Sequence, residues 1–92
     1  MIVVMGDKME KLIIEGKDNY GVPKQEFADR IAIMNEGLLL STMETIIWLS
    51  AYATNNKRSD YHWQSQTCYN ECKRRNKLDL YEVAYDRVAK TI

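Results

Sequence analysis

Apolar side chains recur at helical spacing along the chain from residue 23 onward. Four of them follow one another at intervals of four, three and four residues: Phe27, Ile31, Met34 and Leu38. These intervals place the four side chains on one helix face. Pro23 suits the first turn of such a helix, and Gly37 is a natural stop. The pattern predicts a helix over residues 24–36.

A second helix is predicted over residues 41–55. The stretch STME at 41–44 has the form of a capping box, in which Ser41 caps the helix and Glu44 reaches back. The apolar residues around this helix cover more than one face: Leu38, Leu39, Leu40, Met43, Ile46, Ile47, Trp48, Leu49 and Tyr52. Either this is a central helix surrounded by the others, or one side of it binds a partner.

Two more helices are predicted in the last third of the chain. The third begins at Ser59 or Asp60, and its helical stripe comprises Tyr61, Ser65, Cys68, Tyr69 and Cys72. The fourth begins at DLYE, residues 79–82, a second capping box with Asp79 as the cap. Its stripe comprises Tyr81, Ala84, Tyr85, Val88 and Ile92.

Residues 1–22 differ from the helical part, residues 23–92. Two β-branched runs, Ile2–Val4 and Leu12–Ile14, either pair as a small hairpin or form an extended arm. We therefore predict a single, mainly α domain: a compact bundle of about four short helices behind an extended N-terminal segment.

The composition narrows the class of protein. The 92 residues contain 28% charged side chains and carry no net charge, but residues 1–56 sum to −3 and residues 57–92 to +3. No apolar run approaches the roughly 18 residues of a membrane span. With two cysteines and no export signal, we expect a cytoplasmic protein.

The stretch HWQSQTCYNECK at 62–73 holds the single histidine and both cysteines. Cys68 and Cys72 have the spacing of a zinc-ligand pair, but His62 lies about 600° before Cys68 around a helix, and a fourth ligand is missing. A redox pair is disfavoured because an i,i+4 pair fits disulfide geometry poorly. We interpret the cysteines as small buried apolar residues and His62 as a surface residue, and we expect no metal or cofactor.

Nothing in the sequence has the pattern of a catalytic site. The chain contains no glycine-rich phosphate loop, no G-x-S-x-G and no H-E-x-x-H motif. His62 and the two cysteines are also placed apart on a helix, so a nucleophile and base would not meet. We therefore predict a protein that is not an enzyme.

A basic cluster offers one candidate binding surface. Nucleic-acid contact would use Lys57, Arg58, Lys73, Arg74, Arg75 and Lys77. A solvated helix end is the commoner reason for such a cluster, and on that interpretation Arg74 and Arg75 matter little for folding. The helix over 41–55 is a poor recognition helix, because no Lys or Arg occurs from Ile31 to Asn56.

The other candidate surface is apolar and suits a protein partner. The partner-binding hypothesis names Leu39, Met43, Ile46, Ile47 and Trp48. Within this set, helical geometry predicts that Met43 and Ile47 face the core and that Trp48 lies on an edge, open to a partner or to a second copy. Self-association alone remains a further alternative.

The segments EFADRIAIMNEGLLLSTMETIIWLSAYATNN at 26–56 and QTCYNECKRRNKLDL at 66–80 resemble the small late-transcription coactivators of T-even-type bacteriophages. The resemblance covers about half the chain and implies an all-helical, non-catalytic phage accessory factor that binds the flap of host RNA polymerase in the host cytoplasm. The family's polymerase contacts would fall on Met43, Ile46, Ile47 and Trp48. The sequence ends YEVAYDRVAKTI, without the acidic-hydrophobic tail by which the family binds the sliding clamp, so clamp binding is not carried over.

Overall fold

The computed structural model describes residues 12–52 and 61–91. In these ranges it contains four α-helices: α1 Lys24–Ala32, α2 Glu36–Tyr52, α3 Tyr61–Arg74 and α4 Leu78–Thr91. The β-pairing of the described residues is a single isolated bridge between Lys17 and Pro23. The mainly α fold class is therefore confirmed. Of the predicted hairpin, Ile2–Val4 lies outside the described residues, and Leu12–Ile14 forms no strand.

α2 is the central helix. It packs against both α3 and α4, α4 also packs against α3, and α1 lies on α3. The common core is formed by Phe27, Ile31, Leu39, Met43, Ile46, Ile47, Cys68, Cys72, Ala84 and Val88. Because α2 is covered on two sides, its apolar residues occupy more than one face of the helix.

The end of α1 and the start of α2 both lie earlier in the chain than the sequence predicted. α1 ends at Ala32, not at residue 36, and α2 begins at Glu36, not at Ser41. Asn35 is the N-terminal cap, since its Oδ1 accepts a hydrogen bond from the Leu38 amide at 2.8 Å. The capping box at 41–44 was therefore a wrong prediction, and Gly37 lies inside the first turn of α2. The cap of α2 is therefore Asn35, two positions before Gly37, and not Ser41 of the STME motif.

The junction between the last two helices also differs from the prediction. α4 begins at Leu78, so Asp79 lies in its first turn and is not its cap. α3 ends in a Schellman motif, in which the amides of Asn76 and Lys77 donate to the carbonyls of Lys73 and Cys72. Asn76 takes the left-handed conformation that this motif requires, with φ of 61°. The predicted start of α3 at Ser59 or Asp60 falls outside the described residues.

α1 is held in place by contacts on both of its sides. The Phe27 ring meets Trp63 of α3 edge-to-face, with centroids 5.4 Å apart. On its other side, the Gln25 amide accepts a hydrogen bond from the Ile14 amide and donates one to the Leu12 carbonyl, both at 2.8 Å. These bonds fix the extended residues before α1 against the helical bundle.

Candidate functional site

A cleft between α2 and α4 is one of the open features of the helical surface. It has a volume of about 330 Å³ and is lined by Glu44, Thr45, Trp48, Arg87, Val88 and Thr91. Trp48 stands on its α2 side with 44% of its surface exposed. We call this feature the Trp48 cleft.

Trp48 is exposed because of its position around α2. Met43 and Ile47 are buried, which confirms the predicted facing of this pair. Trp48 follows Ile47 by one residue and so points about 100° away from it around the helix. That rotation places its ring on the exposed side of α2, together with Ser41 and Thr45, at the rim of the cleft.

Four of the five partner-binding candidates lie in the core. Leu39 and Met43 are fully buried, and Ile46 and Ile47 are nearly so. The expectation that Leu39 would help to form an exposed patch was wrong, because it packs within the core cluster. Contact with a partner is therefore open to Trp48 alone among these residues, unless the helices move apart.

The polar rim of the cleft is an ion pair between neighbouring helices. Arg87 Nη1 donates to Glu44 Oε2 at 2.9 Å. Both side chains reach solvent, so the pair contributes little to stability. The cleft thus combines an aromatic ring, an aliphatic floor at Val88 and two opposite charges on its edge. This combination suits recognition of a protein surface, whose anchor residues are apolar and whose rim is polar.

The basic cluster is organised differently from the solvated helix end that the sequence suggested. Glu71, on the same helix, is completely buried. Arg74 and Arg75 both turn toward it, with Arg74 Nη2 and Arg75 Nε each 2.6 Å from Glu71 Oε2. Lys73 and Lys77 are exposed, and Lys77 Nζ lies 3.7 Å from Glu36 Oε2. Lys57 and Arg58 fall outside the described residues.

Arg75 also links α3 to the end of α1. Its Nη2 donates to the carbonyls of Ile31 at 2.9 Å and Ala32 at 3.3 Å. These carbonyls belong to the last turn of α1, and the Ile31 carbonyl also accepts a hydrogen bond from the Met34 amide at 3.1 Å. The interpretation of Arg74 and Arg75 as a solvated helix end is therefore contradicted by their contacts, and we now expect both to contribute to folding.

The protonation of Glu71 reflects its two arginine partners. Burial raises the pKa of its carboxyl, but the hydrogen bonds and positive charges of Arg74 and Arg75 lower it more, so the net pKa lies below 4.5. The bonds to Glu71 in turn raise the pKa of Arg74. Sequence reasoning missed this cluster, although the i,i+3 and i,i+4 spacing of the arginines from Glu71 was a visible signal.

The two cysteines are core residues, as predicted. Both are fully buried thiols, and Cys72 Sγ lies 3.5 Å from the sulfur of Met43. Burial raises the pKa of Cys68 to about 12, which leaves it a protonated and unreactive thiol. His62 is exposed, as predicted, and its Nδ1 lies 2.9 Å from Ser50 Oγ. Within residues 12–52 and 61–91, no three potential ligands of the His, Cys, Asp and Glu types cluster as a metal site.

Comparison with known proteins identified no relative of the chain. No protein-family model, curated protein or solved structure matches the chain significantly. Among the described helices, none is long and apolar enough to cross a membrane.

Proposed function

We propose that this chain is a small non-enzymatic adaptor that binds a larger protein through the Trp48 cleft. The observation that supports the proposal is a tryptophan 44% exposed beside a cleft, on the central helix of the core. Tryptophan is the side chain most enriched among residues that dominate binding energy at protein interfaces. A rigid central helix also presents it with little loss of conformational entropy.

The partner that we propose is a transcription complex, with bacterial RNA polymerase as the candidate. This part of the proposal rests on the resemblance of residues 26–56 and 66–80 to phage late-transcription coactivators. A phage origin would place the protein in the cytoplasm of the host cell. Of the four positions that the resemblance marks for polymerase contact, Trp48 is the one with a surface available for it.

The nucleic-acid alternative loses support from the contacts of its own residues. Arg74 and Arg75 are engaged with Glu71, and Arg75 also with two carbonyls of α1. Phosphate contacts would compete with these buried interactions. Self-association through the Trp48 cleft remains a separate outcome that the same experiment detects.

The test is binding of purified bacterial RNA polymerase to the immobilised protein, measured by biolayer interferometry. Trp48→Ala should weaken binding by about tenfold or more, the effect of losing an interface anchor. Tyr85→Ala is the matched control, since Tyr85 is another exposed aromatic residue but lines a different small cavity of α2 and α4. Circular dichroism establishes that both variants remain folded.

Three results would contradict the proposal in distinguishable ways. Absence of polymerase binding by the wild type removes this partner. Equal binding by the wild type and Trp48→Ala removes the cleft as the site. A dimer in sedimentation that Trp48→Ala converts to a monomer, without polymerase binding, favours self-association.

A further inference from the structure

We propose that the protein has a second docking surface, which binds a short acidic segment with apolar anchors from a partner protein. The surface lies where the α1–α2 and α3–α4 links meet, and comprises residues 33–38 and 73–77. We call it the basic end. The inference does not depend on the Trp48 cleft, because the two surfaces share no residue.

The hydrogen bonds of Arg75 and one ion pair bring the links together. Arg75 reaches the carbonyls of Ile31 and Ala32, the residues directly before the first link. Lys77, in the second link, lies 3.7 Å from Glu36 at the start of α2. Beside these contacts is a cleft of about 450 Å³ lined by Lys73, Arg74, Arg75 and Asn76.

The charge of this end favours an acidic ligand. Four cationic side chains gather here: Lys73, Arg74, Arg75 and Lys77. They are opposed by three carboxylates, Glu71, Glu36 and Asp79 in the first turn of α4, so a positive excess of one charge remains. Helices α2 and α4 also begin here, and helix N-termini add partial positive charge. The negative ends of α1 and α3 are offset, because their last carbonyls already accept hydrogen bonds.

The arginines at this end are already ordered. Arg74 contacts Glu71 through two nitrogens, and Arg75 joins Glu71 to the end of α1. Because these bonds occupy the guanidinium groups, a ligand at this end would meet the exposed Lys73 and Lys77. Arg74 and Arg75 support its binding through their positive charge, without giving up the bonds to Glu71 and α1.

Exposed aliphatic residues favour a peptide over a nucleic acid. Ile33 is 87% exposed, the most exposed of the large apolar residues described, and Leu38 is exposed in the first turn of α2. Single-stranded nucleic acids are bound by cations together with aromatic platforms on which the bases stack. Residues 33–38 and 73–77 contain no aromatic side chain. Isoleucine and leucine beside cations match an acidic segment that carries its own apolar side chains.

The test is a fluorescence-anisotropy titration of the full chain with three labelled probes. The first is a peptide of about 12 residues, mostly Glu and Asp, with Leu or Phe at every third or fourth position. The second replaces each Leu and Phe of that peptide by Ser. The third is a thymidine oligonucleotide of about 12 nucleotides.

The expected result is that the first peptide binds most tightly and that added salt weakens its binding. Ile33→Ser should weaken it by about tenfold, as should the double variant Lys73→Ala/Lys77→Ala. Lys90→Ala and Ile13→Ser are the matched controls for a lost charge and a lost exposed aliphatic group elsewhere, and neither should change the affinity. Arg74 and Arg75 are left intact because their loss would disturb the buried Glu71.

Several outcomes would overturn the proposal. One is the absence of binding by the first peptide at about 1 mM, the weak limit of a specific contact. Another is equal binding of the Ser-containing peptide, which would remove the role of Ile33. Tighter binding of the oligonucleotide, unaffected by Ile33→Ser, would assign the basic end to nucleic acid. Loss of peptide binding in Trp48→Ala alone would place the peptide in the other cleft.

Discussion

Arg75 connects parts of the molecule that are distant in the sequence. Its side chain is only 16% exposed, and it contacts Glu71 in the last turn of α3 and the end of α1 44 residues earlier. Glu71 without sufficient positive charge would be a buried, uncompensated carboxylate, which is costly. This one residue therefore contributes both to the neutralisation of a buried charge and to the position of α1.

Arg75→Ala should lower the free energy of unfolding by about 2–3 kcal/mol, because a buried charge loses a partner and two carbonyls lose a donor. Urea denaturation followed by circular dichroism measures the change. Lys73→Ala is the control, since Lys73 is exposed on the same helix end and should alter stability by less than about 0.5 kcal/mol. Equal effects of the two substitutions would show that the contacts of Arg75 carry no net stability.

Glu71 should make the protein sensitive to acid. Its pKa is lowered in the folded chain relative to 4.5, so its contribution to stability is complete above that value and is lost as the pH falls through the folded pKa. Glu71→Gln lacks this ionisation. We expect the stability difference between the wild type and Glu71→Gln to narrow between about pH 6 and pH 2. A difference that stays constant in urea melts across this range would contradict the role assigned to the carboxylate.

At the scale of single helices, the start of α2 depends on Asn35. Its side chain caps the Leu38 amide, and Ser41 lies inside the helix. Asn35→Ala should cost about 1 kcal/mol, the usual effect of losing an N-cap. Ser41→Ala should be neutral or slightly stabilising, because alanine has the higher helix propensity. The reverse order of the two effects in thermal melts would restore the capping box at 41–44.

Substitutions on the two faces of α2 should have different effects on stability. Ile47→Ala should cost roughly 2–5 kcal/mol, since Ile47 is nearly fully buried. Trp48→Ala should cost less, because almost half of that side chain is already exposed. Thermal melts of the two variants measure the difference. A protein unfolded by Trp48→Ala and left intact by Ile47→Ala would show that the facing of α2 is wrong.

For the whole molecule, the rate at which the two buried thiols react measures how readily the core opens. Cys68 and Cys72 are fully buried, and burial raises the pKa of both. A thiol reagent such as dithionitrobenzoate should therefore label the native protein at least about a hundredfold more slowly than the chain in urea. Rapid labelling of the native protein would mean that α3 separates from α2 easily.

Much of the helical layout follows from local pattern. The apolar spacing located four helices, and it identified Met43, Ile47, Cys68 and Cys72 as buried. This succeeds because an amphipathic helix repeats its core-facing positions every three or four residues, whatever its neighbours are. The helix ends were less predictable. Both STME and DLYE have the form of a cap, but neither functions as the cap of its helix.

The sequence by itself thus determined the fold class and the edge position of Trp48, but it left open whether the all-round apolar α2 is central. Only the tertiary structure decided the roles of the basic residues and of Leu39. Arg75 is a structural residue because α1 ends beside it, and Leu39 is buried because other helices cover its face. Such facts depend on residues far away in the chain, and no local periodicity contains them. The physical reason is that spacing specifies a side of a helix, whereas burial and charge pairing depend on what packs against that side.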